Sequence, residues 1–346
     1  MIHMRILVCT QAVDQDERAL GFFHKWLEEF ARTFSTVEVV CLKEGRHALP
    51  STVRVHSLGK EAGASRITYV WRFFYYAWTL RHEYDAVFVH MNQEYVLMGG
   101  VLWRLLGKRM VLWRNHKKGN WLTALACRLA DVVCYTSPDS YVARFAHGHK
   151  MPIGIDTTQF HLSAQPAPFD TVLFLGRLDP VKNPEVFLAA VDLLARQGVH
   201  ARIHGYGDPT DPRGVHVVAL RESILQLEER KALHWYGGVS HAETPAIYNQ
   251  HAIYVNITPS GSFDKTIGEA MASGCVVVAG NAAIRGVVPD ELMVDPDSSK
   301  DVARGIESAL MLQEGGREEV VRRSVAYIEQ QHSLKALVNG LAKLLK

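Results

Sequence analysis

The chain has 346 residues, 48% of them hydrophobic and 21% charged, with a formal net charge of +2. That length exceeds one comfortable core and predicts two domains of about 150 residues each. The near-neutral balance excludes the basic field of a nucleic-acid binder, so any affinity for anions must be local.

The first predicted strand, 5–9, begins almost at once, and no signal peptide is expected. A helix follows in which Phe23, Trp26, Leu27, Phe30 and Phe34 recur at helical spacing, a stripe that must pack on a sheet. Gly21 stands at its entrance. After strands at 37–42 and 53–56 comes a helical segment, 66–81 (RITYVWRFFYYAWTLR). Ile67, Val70, Trp71, Phe74 and Trp78 share one face of it, with Arg66, Arg72 and Arg81 elsewhere. We expect that face to be buried between the sheet and a neighbouring helix. The alternative is an interfacial helix in peripheral contact with the inner face of a membrane. Strands at 86–90, 110–114 and 132–136 complete the first alternation. No segment reaches the ~18 uninterrupted apolar residues of a spanning helix.

Around 148–170 the pattern breaks, and 161–168 (HLSAQPAP) reads as a linker. The expected domains are 1–155 and 165–328, with a C-terminal helix at about 330–346 packing back on the first. Strands of the second domain are predicted at 171–176, 201–205, 233–237, 253–257, 276–280 and 292–295. After the first of these, Asn183 reads as a helix cap, Pro184 as the first helical residue and Gly198 as the stop. Phe187, Val191 and Leu194 form that helix's stripe. Strands alternating with helices in both halves predict an α/β fold of two doubly wound parallel sheets facing a cleft. Ligands would sit beyond the strands' carboxyl ends. Cys9, Cys41, Cys127, Cys134 and Cys275 are scattered without metal-type spacing, and read as buried thiols of a reducing, cytoplasmic compartment. Neither a metal nor a cofactor is expected.

Two strand-to-helix junctions carry the chemistry. In 174–184 (FLGRLDPVKNP), Gly176 turns the chain off a strand, and Arg177 and Lys182 flank the next helix start. An Arg fork and a Lys point charge suit phosphate oxygens. In 260–274 (SGSFDKTIGEAMASG), Gly261 and Ser262 permit close backbone approach, and Lys265 adds charge at a helix entrance. Thr266 and Glu269 have capping-box spacing, and the Glu269 carboxylate could also accept hydrogen bonds from a ribose diol. Both readings stay open. Gly205 and Gly207 in 204–208 (HGYGD) form a turn at the sheet's carboxyl edge, where a base would be flanked. The SHAE segment at 240–243 reads as a structural box. His90 and His116 end or follow strands of the first half and could bond a sugar hydroxyl.

At these residues the chain resembles the retaining glycosyltransferases of family 4, most strongly over about 150–282. The segment 154–160 (GIDTTQF) is similar to that family's interdomain motif. Gly176, Arg177 and Lys182 resemble its diphosphate-binding residues, and Phe263 to Gly274 the end of its E-x7-E motif. The resemblance implies a GT-B fold of two Rossmann-like domains and metal-independent transfer of a hexose from a UDP- or GDP-sugar, in glycan biosynthesis. The acceptor would be a hydroxyl on a glycan or lipid-linked sugar. It also implies that Arg177 and Lys182 bind the diphosphate and Glu269 the ribose, with Lys265 and Thr266 near the phosphates. Gly21 would sit in the first glycine-containing loop, and His116 would contact the donor sugar. One departure stands out: Gly261 occupies the position of the motif's first glutamate, for which Asp264 could substitute a carboxylate. Two further readings are a sugar-nucleotide epimerase and a non-catalytic sugar-nucleotide-binding protein.

Overall fold

The computed structural model describes residues 2–17 and 20–346. The chain divides into two compact units, Met1–Gly154 with Leu334–Lys346, and Ile155–Ser333.

The first unit opens with β1 (Ile2–Val13), α1 (Phe23–Thr33), β2 (Phe34–Glu44) and β3 (Val53–Ser57). It continues through α2 (Arg66–Thr79), β4 (Ala86–His90), α3 (Gln93–Leu105) and β5 (Arg109–Trp113). It then runs through α4 (Trp121–Leu129), β6 (Val132–Tyr135) and β7 (Gly148–Lys150). The seven strands form one sheet in the order β3-β2-β1-β4-β5-β6-β7, every ladder parallel. The edge strand β7 has no apolar pattern and was not expected.

Alternation along the strands sorts the core into two layers. Ile6, Val8, Val37, Val39, Phe88 and Val111 face one way, where the α1 stripe covers them. The chain's last helix returns to that face through Leu337, Val338 and Leu341. Leu7, Cys9, Val87, Val89 and Leu112 face the other way, beneath Phe73, Tyr95, Trp103 and Ala126.

For α2 the expectation fails. Phe73 and Ala77 are its buried residues, while Ile67, Val70, Trp71, Phe74 and Trp78 are exposed. The helix is apolar on both sides, and periodicity alone cannot choose between two apolar faces. His90 is also spoken for. It is buried, its ring stacked on Phe23 at 4.1 Å, with Nδ1 3.3 Å from Thr10 Oγ1.

The second unit contains β8 (Thr171–Leu175), α5 (Pro184–Arg196), β9 (Arg202–Tyr206), α6 (Val215–Glu229) and β10 (His234–Trp235). After these come α7 (Thr244–Asn249), β11 (Ile253–Asn256), α8 (Lys265–Ala272) and β12 (Val276–Ala279). It ends with α9 (Ser299–Leu310) and α10 (Glu314–Tyr327), and α11 (Leu334–Leu344) belongs to the first unit. Its five strands are parallel in the order β10-β9-β8-β11-β12. The strand expected at 292–295 reduces to one parallel bridge, Ala279 to Met293. A 3-10 turn over Asp290–Leu292 enters it and Pro296 closes it, leaving no length for a ladder.

Candidate nucleotide-sugar site

The site is built at the carboxyl ends of β8, β9 and β11, all in the second unit. β8 ends at Leu175, and the next amide, Gly176 N, donates to Tyr206 O at 3.0 Å. The facing Gly207 has φ +149°, and a Cβ on it would lie 1.8 Å from Gly176 O. Gly205 is needed for a different reason. A Cβ there would meet the Trp235 ring at 2.1 Å, and Trp235 Nε1 donates to Gly207 O at 3.0 Å. Both glycines of the HGYGD turn thus have packing reasons of their own.

After Gly176 the chain passes through a 3-10 turn, Pro180–Lys182, to Asn183, which adopts a left-handed conformation with φ 50°. Its side chain does not cap α5, contrary to expectation. Instead Asn183 Nδ2 donates to Pro296 O at 2.9 Å and Asp297 Oδ1 at 3.2 Å, pinning the bend to a neighbouring loop. The turn lays the Lys182 stem over Gly176, where a Cβ would sit 3.7 Å from it. Lys182 Nζ thereby reaches the Asp264 carboxylate and forms an ion pair.

Asp264 is the hub. It precedes α8 and caps it, Oδ1 accepting from the Thr266 amide at 3.3 Å and the Thr266 hydroxyl at 3.0 Å. Its Oδ2 accepts from Lys182, from Thr258 Oγ1 at 2.9 Å and from Asn256 Nδ2 at 3.1 Å. Asn256 Nδ2 also lies 2.9 Å from Thr266 Oγ1. Burial alone would raise the Asp264 carboxyl. The Lys182 charge and the hydrogen bonds outweigh it and hold the group far below the usual carboxylate range. Both Asp264 oxygens are thus engaged within the network. Gly261 and Ser262 lie in the loop before it, and Asn281 Nδ2 fixes that loop by donating to Ser262 O at 2.8 Å. Phe263 is buried with its ring edge-on to His332 at 5.0 Å, an anchor for the loop.

Because Asp264 is the cap, the Thr266–Glu269 box does not form. Glu269 is buried, with Oε1 3.1 Å from His241 Nε2, while Oε2 accepts from Tyr248 OH at 3.5 Å. The SHAE segment does close on itself, Ser240 Oγ donating to Glu243 Oε2 at 2.6 Å. Lys265, the first residue of α8, is half-buried. Burial pushes its ammonium pKa down to about 8, against the pull of the Glu269 and Asp156 charges.

The structure thus brings Gly176, Lys182, Asp264 and Thr266 together, with Lys265 and Glu269 on the same helix. Arg177 follows Gly176, but its side chain is 58% exposed and takes another course. Its Nη1 lies 3.2 Å from Asp179 Oδ2 and donates to Thr210 Oγ1 at 3.3 Å. Burial would raise the Asp179 carboxyl, yet Thr210 and the Arg177 charge keep it below its ordinary value. Asn256, Thr258, His241 and Tyr248 complete the arrangement and were not expected. Only Asn256 left a trace in the sequence, as a polar residue closing an apolar strand just before a glycine-containing loop. In the first unit, His116 is exposed on the loop after β5, its Nδ1 accepting from Lys118 N at 3.0 Å. Gly21 lies in the turn before α1, where a Cβ would come within 2.8 Å of Glu17 O.

Residues 170–311 match the family described as glycosyl transferases group 1. That match lies wholly within the second unit. No curated protein matches the chain by sequence. Among solved structures, a glycosyltransferase from Rickettsia africae is 10% identical with a TM-score of 0.77, covering 100% of this chain and 98% of its own. Anabaena HepE, solved in complex with UDP-glucose, is 16% identical with a TM-score of 0.73 and 99% of each chain covered. Sucrose-phosphate synthase from Thermosynechococcus elongatus is 17% identical with a TM-score of 0.73 and 98% of each covered. Such likeness fixes the fold: two Rossmann-like sheets in the GT-B arrangement of elements. Among the described residues no helix is long and apolar enough to cross a membrane.

Proposed function

We propose that the chain is a retaining, metal-independent glycosyltransferase that moves a hexose from a nucleotide sugar to a hydroxyl acceptor. The observation that carries this reading is the ion pair of Lys182 with the residue that caps α8. It joins two strand-to-helix junctions at one point, where a diphosphate would find a fixed cation and a helix N-terminus together. A lysine ammonium has three donors. Asp264 takes one, which leaves the ammonium oriented and able to meet phosphate oxygens.

The proposed chemistry is dominated by the leaving group. As the glycosidic C–O bond to phosphate breaks, charge develops on the diphosphate, and Lys182, Arg177 and Lys265 stabilise it. On the same face of the sugar the acceptor hydroxyl adds to the anomeric carbon and gives its proton to the departing phosphate oxygen. No strong general base is then required. Glu269 would accept the ribose hydroxyls, exchanging its bond from His241 for bonds from the ligand. Tyr206 and Tyr236, stacked at 4.6 Å at the ends of β9 and β10, are placed to flank the base. For His116 we propose a role at the transferred sugar. UDP is the favoured donor base because HepE is solved with UDP-glucose, and GDP is the alternative.

The test is calorimetric titration with UDP, GDP and their hexose conjugates, followed by product analysis with sugar acceptors. The reading expects saturable binding of one nucleotide, lost in Lys182→Ala, and a new glycosidic bond. A second reading rests on one observation: Gly261 supplies no carboxylate and both Asp264 oxygens are engaged. A sugar-nucleotide-binding protein without transfer would bind the donor equally well and yield no product.

A further inference from the structure

Helix α2 buries Phe73 and Ala77 and turns its other side to solvent. There Ile67 is 82% exposed, Trp71 64% and Trp78 52%, with Val70, Phe74 and Tyr75 exposed between them. The Phe73 ring meets Tyr95 and Trp103 at 5.6 and 5.8 Å, which seats α2 beside α3. α3 adds exposed Val101 and Leu105 to the same layer. Soluble proteins rarely leave so continuous an apolar patch open to water.

The charge on this patch is predominantly positive, with Glu61, Glu83 and Glu94 at its margins. Residues 62–82 contain Arg66, Arg72 and Arg81 and neither Asp nor Glu, and every charged residue in 95–130 is Arg or Lys. Arg72, Arg81 and Arg104 donate to backbone carbonyls, those of Leu58, Trp78 and Arg128, and these bonds cancel no charge, although Arg72 also faces the Glu61 carboxylate. The Arg81 guanidinium also lies 4.3 Å from the Trp78 ring centroid. Since the whole chain carries only +2, this is a local excess.

We propose that the α2 face docks on an anionic phospholipid surface. Trp71 and Trp78 would lie at headgroup depth, Ile67 and Phe74 would reach the acyl boundary, and the arginines would pair with lipid phosphates. A second copy of the chain is the poorer occupant, because a two-fold contact would set these arginines against their own counterparts. The inference is independent of the nucleotide site.

Vesicle flotation of the full chain, without any nucleotide, tests it. Vesicles of phosphatidylcholine alone are compared with vesicles one-third phosphatidylglycerol. The protein should float with the anionic vesicles, stay down with the neutral ones, and lose binding as salt is raised. Trp71→Ser with Trp78→Ser should lower the partition coefficient by about tenfold or more, and Arg66→Glu with Arg81→Glu by a similar ~tenfold. All four side chains are at the surface, so circular dichroism and UDP affinity should match the parent protein. Should the tryptophan pair impair folding, the arginine pair and the salt series decide. No flotation, equal binding to neutral vesicles, or a dimer in sedimentation that the tryptophan pair abolishes would each overturn the proposal.

Discussion

β4 and β11 occupy the same place in their two sheets. Each lies beside its unit's first strand, where the strand order reverses and a doubly wound sheet opens a crevice at its carboxyl edge. In the first unit that position is filled: His90 ends β4, stacks on Phe23, and has Trp26 at 5.5 Å and Phe22 at 6.3 Å. In the second unit Asn256 ends β11 and opens into a polar network of Asp264, Lys182, Thr258 and Thr266. One architecture therefore serves two ends. Aromatic rings make the first crevice a core, and hydrogen-bonding groups keep the second polar. The fold offers the position, and the side chain at the strand end decides its use.

The difference can be broken from either side. Asp264→Ala should have the largest effect. It leaves the Lys182 ammonium unpaired and α8 without its cap, costing about 4 kcal/mol of stability and abolishing nucleotide binding. Urea denaturation and UDP titration read the two losses separately. Asp264→Asn, which can still cap the helix, should recover part of the stability and little of the binding. His90→Ala should cost about 3 kcal/mol through the cavity left against Phe23. UDP affinity should not change, and a drop in affinity at unchanged stability would contradict a core role for His90.

The sequence made the scaffold legible because helices and strands write their periods locally. Phe23 to Phe30 of the α1 stripe and the apolar run ending at Ala279 became what their spacing indicated, whereas Phe34, expected on the helix, opens β2. Local signals failed where two answers had the same pattern or where the partner was distant. Helix α2 is apolar on both faces, so its stripe gave no orientation. The Thr266–Glu269 spacing suggested a box, yet Asp264, two residues earlier, was the better cap. Glu269 finds its partner at His241, 28 residues away, and Lys182 finds Asp264 across 82. No window of sequence contains those pairs. The two junctions could be recognised by their glycines and charges, but the link between them is a property of the folded sheet.

Arg177 sharpens the contrast within the second unit. Lys182 is nearly enclosed beside its counterion, while Arg177 stands out toward solvent with Asp179 and Thr210. An exposed pair of that kind contributes about 0–1 kcal/mol to stability, so Arg177→Ala should fold normally. If Arg177 meets charge that develops only as the diphosphate departs, the same change should lower turnover by ~100-fold with little effect on the Kd for the intact UDP-hexose. Arg177→Lys should restore part of the rate. An equal loss in binding and turnover would place Arg177 in ground-state recognition instead.

Lys265 gives the smallest effect and the finest test of whether the second crevice takes an anion. Burial lowers its pKa to about 8, so the ligand-free protein sheds this charge just above physiological pH. In an unfolded chain the group would keep its proton to about 10.5. Between those values the folded state therefore releases the proton first, and stability rises with pH across the window. Binding has the opposite sign. A diphosphate beside Lys265 favours the ammonium and raises its pKa again, so binding takes up a proton at alkaline pH. The diphosphate stays ionised above pH 8, and because the uracil N3–H titrates toward the upper end of this range the comparison is read between pH 8 and about 9. UDP affinity should be level below pH 8 and then weaken by up to about tenfold per pH unit. Lys265→Arg stays charged throughout and should show a level profile. If the parent protein gave an equally level profile while still binding UDP, Lys265 would lie apart from the phosphates, and the anion would be held by Lys182 and the helix end alone.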